Sequence, residues 1–335
     1  MAVYTQLGAE QLAELIGHFG VGELVSAKGI AEGVSNSNWL IETTGTNGTG
    51  ARFILTMYEY RIELGDLPFF LSLLDHLAAK GCPVPRTIHD LSGALYRMIA
   101  DPGSPAGPAK AVALIEFLPG VSLGDPSPAQ AFAVGRSLAQ MHLAAADFPA
   151  ARANGMGLAE WQRLADACGA DGLAAIDPGL AGIVADELAQ LASQWPQDLP
   201  LGVIHADLFP DNVLMLGEQV TGLIDFYFAC TDLIAYDVAV THAAWCFDGA
   251  GNLFNAAVSN ALLEGYNSIR PLSPAECAAL PVLARGAALR FALSRAFDWI
   301  NTPVGALVIK KDPMAFVRRL QFYADPANAA IFIAP

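Results

Sequence analysis

In the first third of the chain, short apolar runs broken by glycine-containing turns predict strands. One helix precedes them, Thr5 to His18, with Thr5 placed to cap it and Gly20 just past its end. The first strand-like run leads into Gly29 to Asn38, and the second spans Trp39 to Thr43. TGTNGTG at residues 44–50 predicts a hairpin turn, followed by a strand from Arg52 to Tyr58. Leu67, Leu71, Leu74 and Leu77 then recur at helical spacing, predicting a helix from Asp66 to Lys80 that stops at Gly81. Strands are expected at Thr87 to Asp90, Ala94 to Ile99 and Val112 to Phe117, around a proline- and glycine-rich loop at residues 101–110.

Near residue 118 the pattern changes to longer, helical stretches. Helices are expected at Pro128 to Ala145, Ala181 to Gln194, Leu233 to Cys246, Phe254 to Tyr266, Pro274 to Ile300 (with a break allowed) and Asp312 to Tyr323. One hairpin interrupts them, Val213 to Leu216 and Val220 to Ile224. The expectation is an α+β chain in two lobes. Residues 1–118 form an antiparallel sheet with one long helix, and residues 119–335 are mostly helical.

Composition narrows the function classes. With 54% hydrophobic and 15% charged residues, a chain of 335 residues can bury two cores. The net charge is -15 and the Lys and Arg residues are scattered, a surface that repels phosphate backbones and anionic lipid. Nucleic-acid and membrane-surface roles are therefore not expected. No uninterrupted apolar run is long enough to span a bilayer, and MAVYTQLGAE at the start lacks the layout of a signal peptide. Cys82, Cys168, Cys230, Cys246 and Cys277 are odd in number and show no Cys-x-x-Cys spacing. They predict reduced thiols in a cytoplasmic protein.

The chemistry concentrates in VIHADLFPDNVLM at residues 203–215, a polar loop between two apolar strands. Thirteen positions after Asn212 a strand ends in Ile224-Asp225-Phe226. Transfer of a phosphoryl group needs one carboxylate to meet the incoming hydroxyl, plus an amide oxygen and a second carboxylate to hold the metal that bridges the phosphates. Asp207 is the candidate for the first role, Asn212 and Asp225 for the second. The spacing His-x-Asp-x-x-x-x-Asn matches a kinase catalytic loop. A lone Asp-x-x-x-x-Asn would be read as turn caps; His205, the flanking strands and the spaced Asp225 reverse that reading. Gly29 to Asn38 is the candidate nucleotide loop, where Gly33 lets backbone N–H groups approach phosphates and Ser35, Asn36 and Asn38 add donors.

HADLFPDN followed by LIDF resembles the aminoglycoside phosphotransferase and choline kinase group. The stretch at residues 224–248, with LTMYE (55–59), DLPFF (66–70) and ALRFALSRAFDW (288–299), is similar to the homoserine kinases of that group. The resemblance runs from about residue 20 to about residue 320. It implies a two-lobed protein-kinase-like fold, ATP and Mg2+ as cofactors, and a small alcohol, L-homoserine, as acceptor. It implies that His205 organises the catalytic loop through hydrogen bonds, and that Glu116 to Leu118 is the hinge pairing with adenine. At the strand-3 position where kinases carry a phosphate-binding Lys, this chain has Thr56. Arg52, Arg61 or Lys28 substitutes, or binding relies on backbone and metal. Glu63, Asp66 and Asp75 are the candidates for the acid that would partner that Lys.

Homoserine carries an ammonium and a carboxylate. Asp232 and Asp237 are the candidates for the ammonium, Arg290 and Arg295 for the carboxylate. The ordinary alternatives are that Asp232 caps a helix and that Arg295 pairs with Asp298. His142, His242, Trp245, Phe247 and Trp299 are expected to be structural, and Asp211 a turn cap. Two other functions stay open: a kinase for choline, an amino sugar or an aminoglycoside, and a nucleotide-binding scaffold without turnover. The missing Lys favours the scaffold; Asp207, Asn212 and Asp225 oppose it.

Overall fold

The computed structural model describes residues 7–30, 36–59, 63–101, 107–302 and 310–332. The chain divides into two compact units, Met1–Pro119 and Gly120–Pro335.

In the first unit, helix α1 (Ala9–Gly17) begins later than expected. Gly8 is its N-cap, and the Gln11 side chain accepts the Gly8 N–H at 2.9 Å. The expected cap, Thr5, lies outside the described residues. Strands β1 (Leu24–Ile30), β2 (Asn36–Thr43) and β3 (Ala51–Tyr58) follow, then helix α2 (Leu67–Ala79) and strands β4 (Thr87–Ile88), β5 (Arg97–Ile99) and β6 (Lys110–Glu116). They form one antiparallel sheet in the order β1-β2-β3-β6-β4, with β5 also on β6. The β2–β3 turn needs left-handed backbone, supplied by Gly45 and Gly48 at φ 69° and 70°. Alternation on β2 buries Trp39 and Ile41 with Leu55, Met57, Val112 and Leu114 against Leu12, Leu15 and Ile16 of α1. Each such aliphatic side chain contributes about 1.5–3 kcal/mol on full burial. Asp75 serves packing: it accepts the Thr87 N–H at 2.9 Å and meets His89 at 2.6 Å, tying β4 to α2.

The second unit contains helices α3 (Pro128–Ala144), α4 (Leu158–Ile176) and α5 (Leu180–Gln194), then β7 (Leu201–Ile204), the hairpin β8 (Val213–Leu216) and β9 (Gln219–Leu223), and β10 (Cys230–Leu233). Helices α6 (Ile234–Trp245), α7 (Ala256–Asn267), α8 (Pro274–Asn301) and α9 (Met314–Ala324) complete it. Helix α4 and strand β10 were not expected. Gly169 at φ 66° kinks α4 and breaks its periodicity, and β10 is only four residues long. Helix α8 runs unbroken through Pro281, started by a reciprocal cap between Ser273 and Glu276. By length and hydropathy α8 is able to cross a membrane, yet 61% of its apolar window is buried inside the protein. Helices α3 and α7 meet backbone to backbone. A Cβ on Gly135 would lie 2.1 Å from the Leu262 carbonyl oxygen, and one on Gly265 would lie 2.1 Å from that of Phe132.

Candidate active site

Strand β7 pairs with β10 and ends at Ile204, so the chain enters the polar loop from a fixed edge. The hairpin β8–β9 then returns it to Asp225. The loop backbone is held from below by one buried carboxylate. Asp237, on α6 and fully buried, accepts the N–H groups of His205 and Ala206 at 2.7 Å each. Its Oδ2 also meets His142 Nε2 at 3.0 Å, and His142 Nδ1 meets the Tyr266 hydroxyl at 2.8 Å. Burial would raise the Asp237 carboxyl, but the His142 hydrogen bond, the two neighbouring histidines and the His205 N–H outweigh it and hold it below the usual range.

His205 is buried and its Nε2 donates to the Ile224 carbonyl at 3.0 Å. Its Nδ1 therefore accepts, from the Asp207 N–H at 3.3 Å. Burial pushes the ring's pKa down, keeping it neutral. Ala206 between them sits at φ 63°, a left-handed conformation that costs a residue with a side chain about 1–3 kcal/mol. Asp225 adopts the same region at φ 65°.

Asn212 Nδ2 donates to the Asp207 carbonyl at 2.8 Å and to Asp207 Oδ2 at 3.2 Å. Arg290 donates to the Ala206 carbonyl, and its Nη2 lies 3.9 Å from Asp207 Oδ1. Burial, with the nearby charges of Asp225 and Asp211, lifts the Asp207 carboxyl to about 7 against the opposing pull of Arg290. Asp225 is exposed at its surface, yet desolvation by the surrounding protein and the charge of Asp211 lift it to about 6. The loop thus gathers His205, Asp207, Asn212 and Asp225, with one partly buried and one exposed carboxylate that are both short of positive charge.

A family model described as the phosphotransferase enzyme family matches residues 26–272 of this sequence. The chain belongs to that family. It is 51% identical over 324 residues to a homoserine kinase of Xanthobacter autotrophicus, covering 96% of both chains. It is 50% identical over 332 residues to a homoserine kinase of Allorhizobium ampelinum, covering 98% of both. Among solved structures, an amicoumacin kinase in complex with AMP-PNP and Ca2+ aligns with a TM-score of 0.71 at 15% identity, covering 95% of this chain and 94% of the other. The fold is the protein-kinase-like one of this family.

Several expected site residues are placed otherwise by the structure. Asp237 is not available to an acceptor's ammonium, because its oxygens are spent on the loop backbone and His142. Arg290 is 1% exposed and turned onto the loop. Asp232 accepts from Asn154 at 2.6 Å and from the Leu233 N–H at 2.7 Å, and stays partly exposed. Arg295 does not reach for Asp298. Its guanidinium lies 4.5 Å over the Phe316 ring and donates to the Asp312 carbonyl at 3.3 Å. It has no carboxylate at ion-pair distance among the described residues. Burial and the neighbouring Arg319 pull its pKa down to about 10.

In the first unit, Asn36 and Asn38 stand on β2 and not in the preceding loop. Gly33 and Ser35 lie outside the described residues. The Thr56 hydroxyl donates to Asn38 Oδ1 at 2.8 Å. The Glu116 N–H goes to the Arg86 carbonyl at 2.9 Å, while Leu118 follows the end of β6. Lys311, 3.7 Å from Asp211, and Asn154 were not singled out by sequence. The charged run Lys310-Lys311-Asp312 after an apolar stretch was the signal available for the first.

Proposed function

We propose that the protein is a homoserine kinase, turning ATP and L-homoserine into ADP and O-phospho-L-homoserine. The observation that carries this is identity of about half, over nearly the whole length, to homoserine kinases. The loop geometry supplies a mechanism. Asp207 Oδ1 accepts the proton of the acceptor hydroxyl as its oxygen bonds to the γ-phosphorus. The bond from that phosphorus to the β–γ bridging oxygen breaks, and ADP leaves. A carboxyl lifted to about 7 is suited to take a proton near neutral pH. His205 and Asp237 keep the loop in shape and do not exchange protons with substrate.

Asn212 and Asp225 would hold Mg2+. Their amide and carboxylate oxygens are the hard donors this ion takes, and Asp225 is an exposed carboxyl made unfavourable as an anion by its surroundings. Among the described residues no group of three or more His, Cys, Asp or Glu forms a metal cage, so an ion held by Asn212 and Asp225 would leave room for phosphate oxygens and water. Bound there, the ion offsets the phosphate charge. In the first unit, the Asn38 amide N–H groups offer the phosphates a neutral donor in place of a Lys, oriented by the Thr56 hydroxyl on Asn38 Oδ1, with Gly33, Ser35 and Asn36 preceding in sequence. Adenine pairing falls to the backbone at Leu118, since the Glu116 N–H is occupied.

For the acceptor, Arg295 takes the carboxylate: it is a partly buried guanidinium without an acid partner among the described residues, within electrostatic reach of Asp207. Asp232 takes the ammonium. Cysteines that are all free suit work in a reducing cytoplasm. Steady-state kinetics on L-homoserine, choline, 4-hydroxybutyrate and 3-aminopropanol tests the acceptor. A site that pairs both charges should favour L-homoserine by roughly 10²-fold or more in kcat/KM. Equal values for choline and homoserine would overturn the acceptor and leave phosphoryl transfer standing.

A further inference from the structure

Arg290 sits on the core helix α8 at 1% exposure, with its guanidinium carbon 5.1 Å from the Phe228 ring and 4.6 Å from the Phe291 ring. Stripping a guanidinium of water costs several kcal/mol, and a methionine would fill the same space without that cost. Its hydrogen bonding is incomplete, for Nε has no partner among the described residues. Its Nη groups address the catalytic loop through the Ala206 carbonyl and Asp207 Oδ1, and the guanidinium also faces the buried Tyr236 hydroxyl.

We propose that Arg290 is a positioning residue for the catalytic carboxylate, fixing the left-handed Ala206 peptide and steering the Asp207 side chain toward the acceptor hydroxyl. The Ala206 residue is gripped at both ends by buried charges of opposite sign: Asp237 takes its N–H and Arg290 takes its C=O. Nothing in an alanine side chain favours φ 63°, so the conformation is imposed from outside. The 3.9 Å separation from Oδ1 matters as well. A close bidentate pair would take a lone pair on each carboxylate oxygen and stabilise the anion, lowering its affinity for the acceptor's proton. Here Asn212 holds Oδ2 at 3.2 Å, while Arg290 orients Oδ1 at longer range and leaves its lone pairs open. Oδ1 is thereby the proton-accepting oxygen.

This rests on the kinase reading but not on which alcohol is accepted. The test is a double-mutant cycle on the full chain: wild type, Arg290→Met, Asp207→Asn and the double variant, with kcat and KM for ATP and for the acceptor. Residues acting as a unit are strongly non-additive. Arg290→Met should lower kcat roughly 30-fold or more in the wild type, with both KM values within about 3-fold, and cost less than about 3-fold in the Asp207→Asn background. Arg290→Lys should recover part of the loss. An equal loss in both backgrounds would make Arg290 merely structural, and a rise confined to the acceptor KM would make it a substrate contact; either overturns the proposal. Should Arg290→Met fail to fold, Arg290→Lys carries the same cycle, since it keeps the charge and loses one arm of the fork. A wild type that prefers another alcohol refutes the homoserine reading alone, and the cycle is then run with that alcohol. A wild type inert toward every alcohol takes both down.

Discussion

Around the catalytic loop, His142, His205 and Arg290 converge on two carboxylates, Asp237 and Asp207. Between α6, α7 and α9 lies a second buried centre with its own histidine and arginine. There the partners are hydroxyls and backbone carbonyls. His242 meets the Tyr323 hydroxyl at 2.6 Å and the Ser259 hydroxyl at 2.8 Å, and Arg319 donates to the carbonyls of Ala243 and Asp248 at 3.0 and 2.8 Å. Both centres are largely buried, but among the described residues only the first sets an arginine at ion-pair distance from a carboxylate. The second joins helices with hydrogen bonds to neutral groups. The first spends its burial on holding a strained loop and on carboxyls displaced toward neutrality.

The comparison breaks most sharply at Asp207. Asp207→Asn should cut turnover about 10²–10⁴-fold while leaving the thermal midpoint in place. Turnover equal to wild type would remove this carboxylate from the chemistry. Next comes Asp225→Ala, expected to weaken magnesium-dependent ATP binding by at least about 10-fold and more than Asn212→Ala does. Calorimetric titration with and without Mg2+ reads this, and an affinity unaffected by either change means the ion sits elsewhere.

In the second centre the effects should fall on stability. Arg319→Met strands two carbonyls and should cost about 1–3 kcal/mol in urea unfolding, with kcat unchanged. A loss of turnover without a loss of stability would erase the distinction from Arg290. The last effect is one of pH, absent near neutrality and growing as the solution is acidified. Burial lowers the His242 pKa from the ordinary 6.5 to about 3. Between those values the unfolded chain binds a proton at this residue that the folded chain does not. Stability should therefore fall as pH drops from about 6.5 toward 3, and the fall should be shallower in His242→Gln. Identical pH curves for the two proteins would show that His242 titrates normally in the fold.

Much of the catalytic loop was legible because its residues are close in sequence: His205, Asp207, Asn212 and Asp225 span a single loop and hairpin, so spacing alone constrains their geometry. Asp237 was misread for the converse reason. Its partners lie 31, 32 and 95 positions away, and proximity to Asp225 in sequence suggested a substrate contact. A signal was present: Asp237 is the lone carboxylate on a helix buried along nearly its whole length, where an unpaired charge is too costly to stand. Arg290 and Arg295 lie five positions apart on α8, and sequence could not say which one faces the loop backbone and which keeps a fork unpaired by acid. The sheet and most helices followed from periodicity. Helix α4 did not, because Gly169 interrupts the period on which such a reading depends.

Gly135 and Gly265 look like the least chemical letters in the sequence, yet between them two helices share a backbone contact with no room for a methyl group. Any missense change at either codon adds atoms there and must push α3 and α7 apart. Helix α3 carries His142 and α7 carries Tyr266, the pair through which Asp237 is steadied beneath the catalytic loop. Inherited damage to this enzyme therefore need not touch a reacting group. Inactivating alleles should accumulate at two silent-looking glycines as readily as at the aspartates, and a genetic screen blind to structure would count them among the essential residues.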